Sequence, residues 1–232
     1  MSSGSSLIKI ALINSAKDAV KRFVKPNQVV GLGSGSTMTS FVRELANLPY
    51  KSSVQFVTTS IQIKIEAEKA GLNIADESNY VDIDVVFDGA DQIDSDFNMI
   101  KGGGGALLRE KVLISAANKV VIVADDTKFV KRLSRPVPIE IHMFARCFLL
   151  KRLKEIGGSP NLRTLEKGYP FVTENGNIVL DTSFDSIGDI RNREIELKNI
   201  PGVLEVGLFT RANIYYKAKN NGSFEIIQPN GQ

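Results

Sequence analysis

The chain has 232 residues, with 29 Lys and Arg against 26 Asp and Glu and a single cysteine. At 43% hydrophobic and 24% charged it has the make-up of a globular chain able to bury a sizeable core, as one large domain or a medium one with a small partner. The net charge of +3, spread over isolated doublets such as Lys21-Arg22 and Lys151-Arg152, excludes a nucleic-acid footprint, and no apolar run approaches a membrane span.

Met1 to Ser6 is polar and expected to fray. Leu7 to Phe23 has helical spacing, with Ile10, Ile13 or Asn14, Lys17 and Val20 stepping round the turns, and its apolar stretch Leu7 to Ile13 is too short and too interrupted for a secretory leader. Val29 to Leu32 is a short strand, followed by the small-residue loop Gly33-Ser34-Gly35-Ser36-Thr37 and a helix from about Met38 to Ala46. Val54 to Val57 is the next strand. It ends in Thr58-Thr59-Ser60, where a hydroxyl can cap a helix over Ile61 to Ala70. Gly71 to Ala75 is a turn with a short strand. Val85 to Phe87 and Val120 to Ala124 are apolar strands separated by a helix beginning near Ala106.

Strands alternating with helices of ten or more residues predict an α/β fold with a mostly parallel sheet, whose ligand site lies beyond the carboxyl ends of the strands. The texture changes after Arg135-Pro136. A strand over Ile139 to Ile141 and a helix over Ala145 to Ile156 come first. Then a hairpin pairs Phe171-Val172-Thr173 with Ile178-Val179-Leu180 across Asn175-Gly176, and a helix over Asp189 to Lys198 leads to a strand over Val203 to Val206. These make a small α+β unit with an antiparallel sheet. Leu208 to Ile227, turning at Asn220-Asn221-Gly222, is a second hairpin-like pair returning to the first domain. The expected division is 1–133 with 208–232, and 134–207. Cys147 lies among Phe144, Phe148 and Leu149 and is expected to be a small buried hydrophobe; a lone thiol suits a reducing, cytoplasmic setting.

Chemistry concentrates in Val85 to Ser115. Asp88-Gly89-Ala90-Asp91 places two carboxylates three residues apart at a strand end, a pattern that also suits a plain turn. Lys101 follows, then the run Gly102-Gly103-Gly104-Gly105, which is costly in chain entropy unless backbone must approach a ligand closely. Glu110, on the next helix, shares a face with Ala106, Leu107, Leu113 and Ile114. It reads as a partly desolvated base, or as a surface partner of Arg109 or Lys111. Gly31 to Thr37 fails the dinucleotide fingerprint and the Walker loop. It leaves a phosphate cradle at a helix N-terminus, or a tight turn capped by Ser36 or Thr37. Lys128, in Ala124-Asp125-Asp126-Thr127-Lys128, reaches an anion at the same sheet edge or sits on the surface. His142 reads as structural, Asp181, Asp185 and Asp189 as turn and cap residues, and no His/Cys cluster suggests a transition metal.

With these residues in view the sequence resembles the type A ribose-5-phosphate isomerases. The resemblance rests on GLGSGST (31–37), FDGADQID (87–94), IKGGGGALLREKV (100–112), ADDTK (124–128), TENGNIVLD (173–181) and IPGVLEVGLF (200–209), in order along nearly the whole chain. It departs at Gln92, at Val206 and over Ile141 to Met143. The resemblance implies a Rossmann-like domain with a smaller ferredoxin-like one, a homodimer or homotetramer, and no metal or organic cofactor. The implied reaction is the interconversion of ribose 5-phosphate and ribulose 5-phosphate. By the motif match, Glu110 is the base and Asp88, Asp91 and Lys101 assist ring opening and stabilise an enediolate. Ser34, Gly35, Ser36, Thr37, Gly89, Ala90, Gly102, Gly103, Gly104 and Lys128 complete the substrate site. A sugar-phosphate sensor and a coenzyme A transferase are the competing readings.

Overall fold

A computed structural model describes residues 3–75, 82–210 and 212–229. The chain forms two compact units: Met1–Ala90 with Arg109–Phe129 and Arg211–Gln232, and Asp91–Leu108 with Val130–Thr210.

The first unit opens with α1 (Ser3–Phe23), then β1 (Val29–Leu32), α2 (Gly35–Ala46), β2 (Gln55–Thr58) and α3 (Ile61–Lys69). β3 (Ile83–Asp88) ends its first segment. β4 (Gln92–Ile93) and β5 (Met99–Ile100) belong to the second unit, and α4 (Leu107–Ala116) leads back into the first, to β6 (Ala117–Asp125). The second unit continues with β7 (Val137–Ile141), α5 (Arg146–Glu155), β8 (Gly158–Leu162), β9 (Ile178–Phe184), α6 (Ile190–Lys198), β10 (Val203–Val206) and β11 (Leu208–Phe209). The first unit closes with β12 (Ile214–Ala218) and β13 (Phe224–Ile227).

The first unit carries a six-stranded sheet in the order β13-β12-β6-β3-β1-β2, parallel except for the terminal β12–β13 hairpin. Alternation along the strands sends Val30, Leu32, Val85, Phe87, Val121 and Val123 to one core with Met38, Phe41, Val42 and Leu45 of α2 and Ile63 of α3. Val86 points the other way, where Leu113 of α4 lies beside Gly31. Parallel strands buried on both faces read as continuous apolar runs, and these do. The carboxyl ends of β1, β2, β3 and β6 therefore share one edge.

The predicted frayed start lies partly outside the described residues (1 and 2), and helix begins at Ser3. The buried face of α1 is also not the expected one. Ile10 and Ile13 are exposed, whereas Ala11, Ser15, Ala16, Ala19 and Val20 are buried. Small side chains let the helix approach its neighbours closely, and the Ser15 hydroxyl is satisfied by donating to Ala11 O at 2.8 Å.

The second unit has a four-stranded antiparallel sheet in the order β10-β7-β9-β8. With α5 and α6 this is the β-α-β-β-α-β arrangement of ferredoxin-like folds. Val137, Ile139 and Ile141 meet Leu149, Leu153 and Leu197 in its core. A further three-stranded sheet runs β11-β5-β4. Residues 91–108, carrying β4 and β5, group with this second unit.

Two expectations fail here. Phe171 to Thr173 is no strand: one bridge joins Val172 to Ile178, and β9 pairs instead with β7 and β8. β8 was hidden because Pro160 and two polar residues break its pattern, which only an edge strand tolerates. Cys147 is exposed, as are Phe144 (94%) and Phe148, so that face of α5 is not core.

Candidate active site

In the first unit, β1 leads into Gly33, whose N–H donates to Phe87 O of β3 at 2.8 Å. A Cβ on Gly33 would fall 1.9 Å from Asp88 Oδ1, so glycine is the residue that leaves room for the Asp88 carboxylate at the sheet edge. Asp88 is 1% exposed and accepts from the Gly89 N–H at 2.7 Å. Gly89 and Ala90 follow it, half-buried.

Ser34 stands at the N-cap of α2 but makes no side-chain cap. Its hydroxyl instead donates to Glu110 Oε1 at 2.7 Å, across 76 positions of sequence. Gly35, Ser36 and Thr37 form the first turn of α2, where N–H groups lack acceptors within the helix. A small anion suits that place. The expected caps at Ser36 or Thr37 are not found, since both lie inside the helix.

Glu110 sits in the first turn of α4 and is 3% exposed. Leu107, Leu113 and Ile114, one turn before and after it, are buried to 2% exposure or less. Glu110 is therefore not a solvent-exposed side chain. β2 ends at Thr58 and is followed by Thr59 and Ser60, all three buried, and the Ser60 hydroxyl accepts from Ile63 N–H, the predicted cap of α3. Lys128 lies half-buried in the turn after β6, which Asp125 closes by accepting from the Thr127 N–H at 3.0 Å and from the Thr127 hydroxyl. By strand register Asp88 is level with Ile122, so Asp125 stands three residues, roughly 10 Å, further along the sheet direction.

In the second unit, Asp91 is tied into β4–β5 by its N–H to Ile100 O at 2.9 Å, and its Oδ2 accepts from Gly103 N–H at 2.8 Å. Lys101 is 3% exposed, with Nζ 5.6 Å from the centroid of the Phe209 ring and its N–H bonded to Gly207 O. Gly104 is exposed beside it. Gly105 has φ of +80°, and a Cβ there would meet the Phe171 ring at 2.4 Å. Gln92 is buried: Oε1 accepts from the N–H groups of Ser134 and Arg135, and Nε2 donates to the Ser134 hydroxyl. An amide at this position supplies the donor that a carboxylate would lack.

Two functional candidates were missed by sequence reasoning. Arg163 holds the carbonyls of Gly102 and Gly103, and Asp181 holds Arg163; Asp181 is thus an ion-pair partner, not a turn residue. No local motif marks either. His142 has the expected structural place, accepting from Phe144 N–H, and Asp189 caps α6. Among the described residues no helix is long and apolar enough to cross a membrane.

Comparison with known proteins identifies the family. The sequence profile of ribose 5-phosphate isomerase A (phosphoriboisomerase A) matches residues 55–222. The ribose-5-phosphate isomerase A of Methanosarcina acetivorans is 38% identical over 212 residues, covering 90% of this chain and 91% of that one. The solved ribose 5-phosphate isomerase A of Methanocaldococcus jannaschii superposes with a TM-score of 0.88 at 34% identity, covering 95% and 99% of the two chains. A D-ribose-5-phosphate isomerase solved in complex with phospho-erythronic acid also scores 0.88, at 35% identity over 97% and 98%. A profile match over most of the sequence, relatives well above 30% identity along nearly full length, and the same fold in both units lead to one assignment: the chain belongs to the ribose 5-phosphate isomerase A family.

Proposed function

We propose that this protein interconverts D-ribose 5-phosphate and D-ribulose 5-phosphate, with Glu110 as the general base. The observation that carries the reading is the buried Glu110 carboxylate held at 2.7 Å by the Ser34 hydroxyl at the end of β1. A carboxylate aimed by a hydroxyl donor at a sheet edge, beside a loop suited to an anion, is the equipment for proton transfer on a phosphorylated sugar.

Glu110 removes the proton from C2 of the open-chain aldose as negative charge develops on O1. The same carboxylic acid returns the proton to C1 while O2 becomes the carbonyl oxygen and the O2 proton moves to O1. Asp88, Asp91 and Lys101 assist ring opening, bind hydroxyls and stabilise the enediolate. Ser34 to Thr37, Gly89, Ala90, Gly102 to Gly104 and Lys128 hold the rest of the substrate, and the phosphate fixes the sugar for transfer. The phospho-erythronic acid bound by the relative supports this reading. Its carboxylate is a planar anionic group on a phosphorylated chain, as the enediolate is.

The family likeness also supports a cytoplasmic homodimer or homotetramer needing no cofactor. The exposed Met143, Phe144 and Phe148 of the second unit are apolar surface of the kind that subunit contacts cover. The test is direct: purified protein with ribose 5-phosphate, before and after exhaustive chelation, while ketose formation is followed. Absence of turnover refutes the activity. Loss on chelation with recovery on adding metal refutes the cofactor-free mechanism. Light scattering of the wild type and of Phe144→Glu decides subunit assembly, with a monomeric wild type refuting it.

A further inference from the structure

Within the second unit a half-buried ion pair grips the glycine run. Arg163 follows β8, and its side chain is 14% exposed. Its Nε donates to Asp181 Oδ2 at 2.8 Å and its Nη2 to Asp181 Oδ1, a two-pronged pairing. Its Nη1 donates to Gly102 O at 2.8 Å and to Gly103 O at 3.2 Å. The guanidinium also lies 5.6 Å from the centre of the Phe171 ring, the ring that fills the space beside Gly105. Finally, the Gly103 N–H donates to Asp91 Oδ2 at 2.8 Å.

These contacts form one line: Asp181, Arg163, the Gly102 and Gly103 carbonyls, the Gly103 N–H, and Asp91. Four consecutive glycines have more conformations to lose than any other tetrapeptide, so the run keeps one shape only if something outside it imposes that shape. A guanidinium does so well. Its planar fork presents donors on two edges at fixed angles, which lets Asp181 hold one edge while the other fixes two peptide carbonyls. A lysine ammonium has no such geometry.

We infer that Arg163 and Asp181 are a positioning pair for the isomerisation: they set the Lys101–Gly105 run and, through the Gly103 N–H, the direction of the Asp91 carboxylate. The inference rests on the reading that Asp91 and Lys101 act on the sugar. Neither Arg163 nor Asp181 touches the reacting atoms in this scheme. Their effect is on how often the groups that do so are correctly placed.

The experiment compares wild type, Arg163→Lys and Asp181→Asn by steady-state kinetics on ribose 5-phosphate, with thermal melts of each. Arg163→Lys keeps the charge and one contact to Asp181 but cannot hold both carbonyls. Its kcat should fall at least about tenfold, since misplacement by about 1 Å costs on the order of 10²-fold. Its KM should rise by less than kcat falls, because Gly102 to Gly104 supply only part of the proposed substrate contacts and the loop Ser34 to Thr37 is unaltered. Asp181→Asn leaves the carbonyl bonds in place but frees the fork on one edge, and should show the same split to a smaller extent. A merely structural pair would lower the melting temperature and leave kcat of the folded protein unchanged. Either variant folded at the assay temperature with kcat within twofold of wild type overturns the inference. If Arg163→Lys is unfolded there, Asp181→Asn decides alone. Failure of the wild type to turn over ribose 5-phosphate counts against the isomerase reading itself, so the two failures are separable.

Discussion

Replacing Glu110 by Gln is the sharpest perturbation the geometry allows. The amide has the volume of the carboxyl, and its Oε1 can still accept from the Ser34 hydroxyl, now at 2.7 Å. Glu110 is buried, so a side chain of the same volume suits its place on α4. What disappears is the capacity, proposed above for Glu110, to take a proton from C2 and return it to C1. General-base catalysis contributes about 10²–10⁴-fold, which corresponds to roughly 3–5 kcal/mol of barrier at about 1.36 kcal/mol per decade. KM should change little, since the loss falls on the transition state alone. The assay has two arms: ketose formation from ribose 5-phosphate, and exchange of the C2 hydrogen with deuterium from solvent by proton magnetic resonance. Both should fall together. Turnover within tenfold of wild type, in a variant with an unchanged melting temperature, would refute the role given to Glu110.

Three further outcomes follow from neighbouring contacts. Ser34→Ala removes the hydrogen bond to Glu110 but no helix cap, so kcat should fall about tenfold or more, a charged hydrogen bond being worth about 1.5–3 kcal/mol, while the melting temperature holds; a lower melting temperature with unchanged kcat would reverse that reading. Gly33→Ala puts a Cβ 1.9 Å from Asp88 Oδ1 and must move that carboxylate or strain β1, costing about 1–3 kcal/mol of stability along with most activity, as urea melts and kinetics would show. Tyr216 donates to Asp18 at 2.7 Å, and burial, then Asp18, pushes its phenol well above the ordinary 10.0. The unfolded chain releases this proton first, so the stability it contributes is intact below about pH 10 and is lost as pH rises toward the folded value; Tyr216→Phe should flatten that loss relative to wild type, and parallel curves would refute it.

Legibility followed the range of the interaction. The alternating strands and helices of the first unit, the Ser60 and Asp189 caps, and the Asn220-Asn221-Gly222 turn between β12 and β13 all depend on residues a few positions apart, and all were readable. Glu110 was readable as a buried candidate because its neighbours on the helix are apolar. Its partner was not, since Ser34 is 76 positions away. The failures have the same cause. Phe171 to Thr173 looks like half a hairpin, but Thr173, Asn175 and Asn177 all donate to Glu140 Oε1, which folds the segment over β7 instead of into the sheet. Cys147 has apolar neighbours in sequence, yet it is exposed with Phe144 and Phe148 while Leu149 alone of them enters the core.

Ser34 shows why such misreadings gather around chemistry. A serine just before a helix reads as a cap, and capping is worth about 0.5–2 kcal/mol. Here the backbone has the extended N-cap shape, with φ of −114° and ψ of 171°, but the hydroxyl is turned to Glu110 instead of to its own helix. Gly33 repeats the pattern, since its missing side chain serves the Asp88 carboxylate next to it. So does the glycine run, which Arg163 holds from about 60 positions away. In each case a locally preferred arrangement is given up for one that only a distant residue can explain. Local preference and structure part company at several residues that also carry the family's motif, which is the pattern the proposed substrate site would require of them.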